Sequence, residues 1–327
     1  MPAGTDGRQR EGADWRGVAD IVDAPGFALP WLDRFYDESD AALLEALAGG
    51  EVRGADLLDV VEGLDMAAVR RAHRRAVATM SDEHDLEAAV AVAPFWDRFE
   101  YWITFEGWGD IPPEVRGPFA DGCLEKYIGS IGAAVADVAA GRSVHDPTGN
   151  DFFVLLDEAE DIVRGARRVF LRPCICRRID GRCDKPVDVC IWLDDDERGA
   201  GREISRERAI ELLHEADRAG LMFTANDPQA GNATWICCCC RDCCQPLLAA
   251  ARLDATAVWP QRRHVAAIDR ESCTSCRVCV ERCPWGVLTM KGKGNAATLA
   301  LDEDGCRGCG VCATGCEPGA ITLLARG

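Results

Sequence analysis

Two stretches near the end of the chain share one cysteine spacing. The first runs from Cys273 to Cys283 and the second from Cys306 to Cys316, and both read C-x2-C-x2-C-x3-C. Three cysteines on so tight a loop can ligate three corners of a cubane iron–sulfur cluster, while a helical turn carries the fourth cysteine away. The spacing therefore predicts two iron–sulfur clusters. Two zinc ions are the alternative, although zinc knuckles usually consist of separated C-x2-C pairs.

This region, roughly Ala266 to Ala325, resembles a bacterial-type ferredoxin with two [4Fe-4S] clusters. In such ferredoxins the fourth cysteine of each run ligates the other cluster, and the resemblance implies the same crossing here. One cluster would be held by Cys273, Cys276, Cys279 and Cys316, and the other by Cys306, Cys309, Cys312 and Cys283. A departure from the pattern is Glu317, which stands where the first run has Pro284; it removes no thiolate.

The segments that flank the two runs are also alike. "HVAAID" and "ATLALDED" precede the runs, and "GVLTM" and "AITLL" follow them. Their apolar residues predict four short strands that lead into the cysteine loops and back out of them.

A second set of cysteines occupies two segments in the middle of the chain, "RPCICRRIDGRCDKPVDVCIWLD" and "WICCCCRDCC". A helix is expected to begin after Ser205 and to end before Gly220, so the two segments could return to one place. The candidate metal ligands are Cys174, Cys176, Cys183, Cys190, Cys237, Cys239, Cys240, Cys243 and Cys244. If the second segment is extended, Cys237 and Cys239 should turn to one side, and Cys238 and Cys240 to the other.

These cysteines predict a third metal centre that draws on both segments. An iron–sulfur centre is favoured because the neighbouring region already handles clusters; zinc is the second option, and a redox-active dithiol or disulfide set is the third. Arg172, Arg177 and Arg178 could donate to sulfur or neutralise the charge of thiolates, and the alternative is a solvated, basic loop end. From roughly Val154 onwards, the order of motifs is similar to a family of ferredoxin-fused iron–sulfur proteins, whose members typically have fewer consecutive cysteines in the second segment.

The composition agrees with metal-binding thiols. The chain has 327 residues and 19 cysteines, its start lacks the apolar stretch of a secretory signal, and no apolar run is long enough to span a bilayer. We therefore expect a cytoplasmic protein without a membrane span, where thiols stay reduced. The residues before Ala255 carry 28 basic and 48 acidic side chains, a net charge of −20. Because this part is so acidic, we do not expect DNA or an anionic membrane as a partner.

The N-terminal part has helical patterns. Residues 1–20 are polar and Gly-rich and predict a disordered tail, and residues 21–161 predict a helical domain. Within that domain, residues 54–80 have a helix-turn-helix outline. Its second helix carries Arg70, Arg71, Arg74 and Arg75. Such arginines could contact phosphates, but a degenerate winged helix used for packing or partner docking is favoured because the domain is acidic.

The predicted fold class is α+β. It comprises the helical N-terminal domain, a small cysteine-rich middle (residues 162–254) with the extra metal site, and a two-cluster ferredoxin-type domain (residues 255–327). The predicted function is electron transfer through [4Fe-4S] clusters for a partner reductase or oxidoreductase, with donor and acceptor unspecified. No catalytic acid, base or nucleophile stands out, so a redox subunit is favoured over a stand-alone enzyme. The alternatives are a redox-sensing transcription regulator and a catalytic or thiol-exchange role of the middle cysteines.

Overall fold

The computed structural model describes residues 14–109, 111–142, 152–195, 199–292 and 297–326. The chain divides into two compact units, Met1–Phe119 and Ala120–Gly327. The boundary between the units, after Phe119, comes earlier in the chain than the boundary predicted at residue 161. The cysteine-rich and ferredoxin-like regions belong to one unit rather than two. Both units combine helices with strands, in agreement with the predicted α+β class.

The first unit contains short helices and a small sheet. Its α-helices are α1 (Trp15–Ile21), α2 (Leu32–Phe35), α3 (Glu38–Leu47), α4 (Gly54–Val60), α5 (Met66–Arg74) and α6 (Phe95–Tyr101). Short 3-10 helices cover Gly26–Trp31 and Pro113–Val115, and a π-helical turn covers Trp102–Glu106. The strands are β1 (Val52–Arg53), β2 (Ala78–Met80) and β3 (Ala89–Val92), and β3 pairs antiparallel with both of the others. The three-stranded sheet was not predicted for this helical domain.

Helix α1 begins within residues 1–20, the range predicted to be a disordered tail. Asp14 caps the helix by accepting a hydrogen bond from the backbone N–H of Arg16, and Val18 is fully buried. The tail prediction is therefore wrong for residues 15–20, where burial of one apolar face outweighs the polar composition. Residues 1–13 of the predicted tail lie outside the described residues.

The helix-turn-helix outline corresponds to α4 and α5, but the second helix is shorter than predicted. Helix α5 ends at Arg74, and Ala76 has a φ of 57°, a value that an α-helix does not accommodate. The chain then continues as β2, because pairing with β3 satisfies its backbone hydrogen-bonding groups. The winged-helix designation stays a prediction.

The second unit is built on a six-stranded sheet in which all the strand pairs are antiparallel. Its strands are β4 (Phe152–Val154), β5 (Val169–Pro173), β6 (Asp188–Leu193), β7 (Arg202–Ile204), β8 (Met222–Ala225) and β9 (Trp235–Cys239), in the order β4-β8-β9-β6-β5-β7. The helices that accompany it are α7 (Gly117–Ala139), α8 (Leu156–Gly165), α9 (Ile175–Asp180), α10 (Arg206–Arg218) and α11 (Gln245–Arg252). Ser205 caps α10 as predicted. The cysteine-rich middle is thus part of a substantial sheet rather than a small domain of its own.

The two faces of β9 bury different residues. Cys238 packs into a core with residues of α8 and α10, and Cys240, directly after the strand, belongs to the same core. Cys237 and Cys239 face a second core that includes Phe153, Met222 and Leu247. The predicted alternation is therefore confirmed, because successive side chains of a strand point to opposite faces.

In chain order, each cysteine run connects a strand of one antiparallel pair with a strand of the other pair. Strand β10 (His264–Ile268) pairs with β13 (Ile321–Ala325), and β11 (Leu288–Lys291) pairs with β12 (Thr298–Leu301). Each run contains a short helix, α12 (Val278–Arg282) or α13 (Val311–Thr314). The four strands predicted around the runs are confirmed.

Candidate iron–sulfur and metal sites

The ferredoxin-like region contains two cavities, each lined by four cysteines. The first is lined by Cys273, Cys276, Cys279 and Cys316. The second is lined by Cys283, Cys306, Cys309 and Cys312. Each cavity thus combines three cysteines of one run with the last cysteine of the other, as the crossed pattern predicts. The short helices α12 and α13 produce this exchange, because each begins one residue before the third cysteine of its run and ends before the fourth.

The chemistry of both cavities fits a [4Fe-4S] cluster. Met290, Leu299 and Ile321 contribute apolar walls to the first cavity, and Leu288 and Leu301 contribute to the second. Burial raises the pKa of Cys309 and that of Cys312 to about 12. A thiol in such surroundings becomes a thiolate only when a cation compensates it, and the iron of a bound cluster would supply that positive charge.

Gly308 allows the second run to pass close to a strand. Its φ is 66°, and a Cβ atom at this position would lie 2.1 Å from the carbonyl oxygen of His264. Any other residue would collide with β10, so this glycine is needed for the loop that carries Cys306 and Cys309.

The second cavity has a guanidinium in its wall. Arg307 is buried, and it donates hydrogen bonds to the carbonyl oxygens of Ala257 (2.5 Å) and Pro260 (3.0 Å). Burial, together with the positive charge of Arg262, lowers the pKa of Arg307 to about 10. A cation beside a cluster stabilises its more negative, reduced form. The C-x2-C spacing marks no role for this residue, so sequence reasoning missed it.

The middle cysteines form two groups rather than one. The larger, which we call the six-cysteine group, takes three members from each segment: Cys174, Cys176, Cys190, Cys237, Cys239 and Cys244. Side-chain interactions between thiols join Cys237 to Cys190, Cys190 to Cys174, Cys174 to Cys176, Cys176 to Cys244 and Cys244 to Cys239. The two segments come together as predicted, but the helix between them is not the cause: Cys190 and Cys237 lie on the adjacent strands β6 and β9.

The smaller set, the three-cysteine group, consists of Cys183, Cys240 and Cys243. Their sulfur atoms all lie within 4.8 Å of one another. The Cys183 and Cys240 sulfurs are 3.8 Å apart, and those of Cys240 and Cys243 are 2.9 Å apart. Cys183 lies in the loop between α9 and β6, and the other two lie between β9 and α11. The nine candidate ligands that the sequence predicted for one centre are therefore divided between two places.

Arg177 lies between the two groups. It is buried, and it donates hydrogen bonds to the carbonyl oxygens of Pro186 and Cys238. Burial alone would lower the pKa of Arg177, but the thiols of Cys174, Cys190 and Cys240 raise it. The sequence allowed either a role in charge compensation or a solvated loop end for this arginine, and its burial favours the first.

The other arginines and cysteines near the groups have different surroundings. Arg172 is also buried, with its guanidinium 3.9 Å from the ring centre of Trp192. Cys238 donates a hydrogen bond to the carbonyl oxygen of Val189 (3.0 Å) on the opposite face of β9 from the six-cysteine group. Cys123 is buried in α7. Neither Cys238 nor Cys123 belongs to the predicted ligand pool.

The six-cysteine group and the second ferredoxin-like cavity share a core. Cys239 and Cys244 pack in one cluster with Phe153 and Val311, and Trp285 and Cys309 pack against the same cluster. Trp285 also lines the second cavity. Thiols of the middle segments are thus separated from a predicted cluster ligand by a few apolar side chains.

The arginines of the helix-turn-helix outline make intramolecular contacts. Arg70 donates to the carbonyl oxygen of Glu83 (2.6 Å), and Arg74 pairs with the Glu83 carboxylate (3.4 Å). Arg75 pairs with Asp37, Asp40 and Glu106 at 3.2, 3.0 and 2.8 Å. Arg71 is exposed.

Comparison with known proteins bears on the C-terminal region. The family model described as "4Fe-4S dicluster domain" matches residues 272–320. Among curated proteins, none matches the chain. The matched residues include all eight cysteines of the two cavities, so the C-terminal part of the chain is a ferredoxin-like iron–sulfur region. Among the helices that the structure describes, none has the length and apolar character needed to cross a membrane.

Proposed function

We propose that the chain is a redox subunit that passes electrons through two [4Fe-4S] clusters to or from a partner oxidoreductase. The observation that carries this proposal is the pair of cavities, each of which gathers four cysteines in the crossed arrangement. Bound [4Fe-4S] clusters supply one-electron redox chemistry. The chain supplies the thiolate ligands, an apolar shell and, beside the second cavity, the charge of Arg307.

The surroundings of the two cavities differ in charge and exposure. Cys276 of the first cavity is exposed, whereas Cys306 and Cys312 of the second are buried. The first cavity therefore offers the shorter route to a partner protein at the surface. The second lies against the core that contains Cys239 and Cys244. This order of exposure favours a path from the surface, through the first and second cavities, towards the six-cysteine group.

The six-cysteine group is proposed as a third iron–sulfur centre. Neighbouring thiols of the group shift the pKa of four of its members, Cys174, Cys176, Cys190 and Cys244. Thiols that interact so closely are suited to a metal, which would replace their protons on binding. The buried charge of Arg177 would offset part of the negative charge of such a centre. A centre placed here would exchange electrons with the ferredoxin-like region over a few apolar side chains.

The regulator alternative receives less support. Three of the four arginines that would face phosphates are engaged with acidic side chains or a carbonyl of their own unit. DNA is therefore not a proposed partner. We also propose a cytoplasmic location, because the reducing conditions there keep thiols available for metal binding.

The decisive experiment is metal analysis of protein prepared without oxygen. Two cubanes supply about eight irons and eight acid-labile sulfides per chain, and a third centre raises the iron above about eight. Reduction by dithionite should produce the spectroscopic signals of reduced clusters, and the reduced protein should pass electrons to an added redox protein such as cytochrome c. Fewer than about eight irons, or signals that do not respond to a reductant, would contradict the proposed function.

A further inference from the structure

We propose that Cys183, Cys240 and Cys243 bind one tetrahedral metal ion, most readily Zn²⁺, at a site separate from the six-cysteine group. The fourth coordination position of this ion is open to a positively charged cleft, where a small anion or thiolate binds. The site does not depend on the proposed electron transfer, because it uses none of the cysteines assigned to the clusters.

The spacing of the three sulfur atoms suits a single ion. Zinc–thiolate bonds of ~2.3 Å in a tetrahedron place the sulfurs about 3.8 Å apart. The Cys183 and Cys240 sulfurs are 3.8 Å apart. The Cys240 and Cys243 sulfurs are 2.9 Å apart, well beyond a disulfide bond of ~2.05 Å, and need to separate by only about 1 Å to fit the tetrahedron.

The cysteines assigned to clusters provide an internal comparison. In a cubane each thiolate ligates a different iron, so the thiolate sulfurs lie farther apart than on one ion. All eight cysteines of the ferredoxin-like cavities are described, and no three of them lie within 4.8 Å of one another. The same holds for the six-cysteine group, whose members are also all described. Cys183, Cys240 and Cys243 thus have a spacing that the cluster-type groups lack.

The local backbone supports these three ligands. The backbone N–H of Lys185 donates to the sulfur of Cys183 (3.4 Å), a contact that orients a thiolate towards a metal. Cys240 and Cys243 form a C-x2-C pair, in which the N–H of Cys244 donates to the carbonyl oxygen of Cys240 (3.3 Å). Three thiolates and a divalent ion carry a net charge of −1, and buried Arg177, whose side chain interacts with Cys240, can offset it.

The fourth position faces a cleft of about 610 Å³ that has Cys240 in its wall. Its charged lining consists of Lys185, Arg218, Arg241, Asp242, Glu281 and Arg282, an excess of two positive charges. Structural zinc sites have four protein ligands, whereas sites that bind an external ligand keep one position open. The cleft therefore favours an anionic ligand on the ion, and thiolates are preferred by zinc.

The test is metal analysis of the full chain prepared without oxygen, combined with substitution of zinc by Co²⁺. We expect one zinc per chain beside the iron, and thiolate-to-cobalt absorption bands after substitution. Cys183→Ser and Cys243→Ser should each lower zinc by at least tenfold and leave iron unchanged. Cys238→Ala is the matched control, because Cys238 neighbours Cys240 in sequence but contacts the carbonyl oxygen of Val189, and it should keep both metals.

Three results would overturn the inference. The first is the absence of zinc together with a Cys240–Cys243 disulfide detected by mass spectrometry, which would indicate thiol exchange. The second is zinc that is lost equally in Cys174→Ala, because the two groups would then be one site. The third concerns the open position: the cobalt spectrum should change when thioglycolate is added, and less so in Arg218→Gln. A spectrum that does not respond to thioglycolate means that the fourth position is closed. The iron of the two ferredoxin-like cavities stays unchanged in each of these results, so they are distinct from a failure of the proposed electron transfer.

Discussion

The cysteines of the C-terminal runs and those of the middle segments are brought together in different ways. In the runs, a repeated spacing and two short helices deliver four cysteines to each cavity. In the middle, adjacent strands and the loops beside them assemble six cysteines at one place and three at another. Local geometry thus determines the first arrangement, whereas pairing of strands distant in sequence determines the second.

This difference has a consequence for substitutions. A cavity built from one loop and one returning cysteine can lose a single ligand without disturbing the other strands. The six-cysteine group is part of the central sheet, since Cys190 and Cys237 lie on β6 and β9. Changes there should affect packing as well as metal binding, because the interior of a sheet is close-packed.

The largest expected effect concerns the crossing of ligands between the runs. Cys279→Ala and Cys283→Ala lie four positions apart in one run but in different cavities. Each should lower the iron content by about four per chain, and the double variant by about eight, because each cubane holds four irons. Iron and acid-labile sulfide on anaerobic protein measure this loss.

A second double variant is the control for that additivity. Cys283→Ala and Cys309→Ala lie in the same cavity although they belong to different runs. Together they should cost no more iron than either does alone. If instead this pair is additive and Cys279→Ala with Cys283→Ala is not, the ligands do not cross.

The ferredoxin-like region could largely be predicted from the sequence, because its structure follows from local spacing. The four strands and the grouping of cysteines agree with the prediction, as the lining of the two cavities by Cys283 and Cys316 illustrates. Arg307 could not be predicted in the same way. Its role depends on carbonyl oxygens of Ala257 and Pro260, about 50 residues away, which no local pattern reveals.

The middle segments were predictable only in part. The alternation of Cys237 and Cys238 follows from strand geometry and agrees with the structure. The position of the second segment inside the sheet, where β9 lies between β8 and β6, could not be predicted from its sequence. The division into two groups depends on the neighbours of two cysteines: Cys190 lies on β6, which pairs with β9, and Cys183 lies beside Cys240, the residue after β9. Sequence spacing contains no information on strand order.

The next largest effect is expected in the six-cysteine group. Cys174→Ala combined with Cys190→Ala removes two adjacent thiols of the group. We expect iron to fall to about eight per chain, the content of the two ferredoxin-like clusters, while their signals persist. Cys123→Ala, which removes an equally buried thiol outside both groups, should keep the full iron content. An iron content that the double variant does not change would argue against a third iron–sulfur centre.

A third prediction addresses the arginine between the two groups. Arg177→Gln removes a buried charge and leaves the carbonyl oxygens of Pro186 and Cys238 with a weaker donor. We expect the free energy of unfolding to fall by about 3 kcal/mol, as for other buried charged hydrogen-bonding groups. Urea denaturation measures it. Arg182→Gln is the comparison, because this arginine is 75% exposed and pairs with Asp180. If the two variants lose equal stability, Arg177 has no special role.

The smallest expected effect concerns the side chains that line the two cavities. Trp285 lines the second cavity and packs beside Cys309, whereas Met290 lines the first. Trp285→Leu admits water near the second cluster and should stabilise its more negative reduced form, because solvation favours the higher charge. If the added solvation stabilises the reduced cluster by about 1 kcal/mol relative to the oxidised one, its one-electron potential rises by about 40 mV. Met290→Ala should shift the first cluster in the same direction and leave the second unchanged. Potentiometric titration followed by electron paramagnetic resonance distinguishes the two signals. If both variants shift both potentials equally, the cavities do not have independent surroundings, and the contrast between the exposed Cys276 and the buried Cys312 has no effect on the clusters.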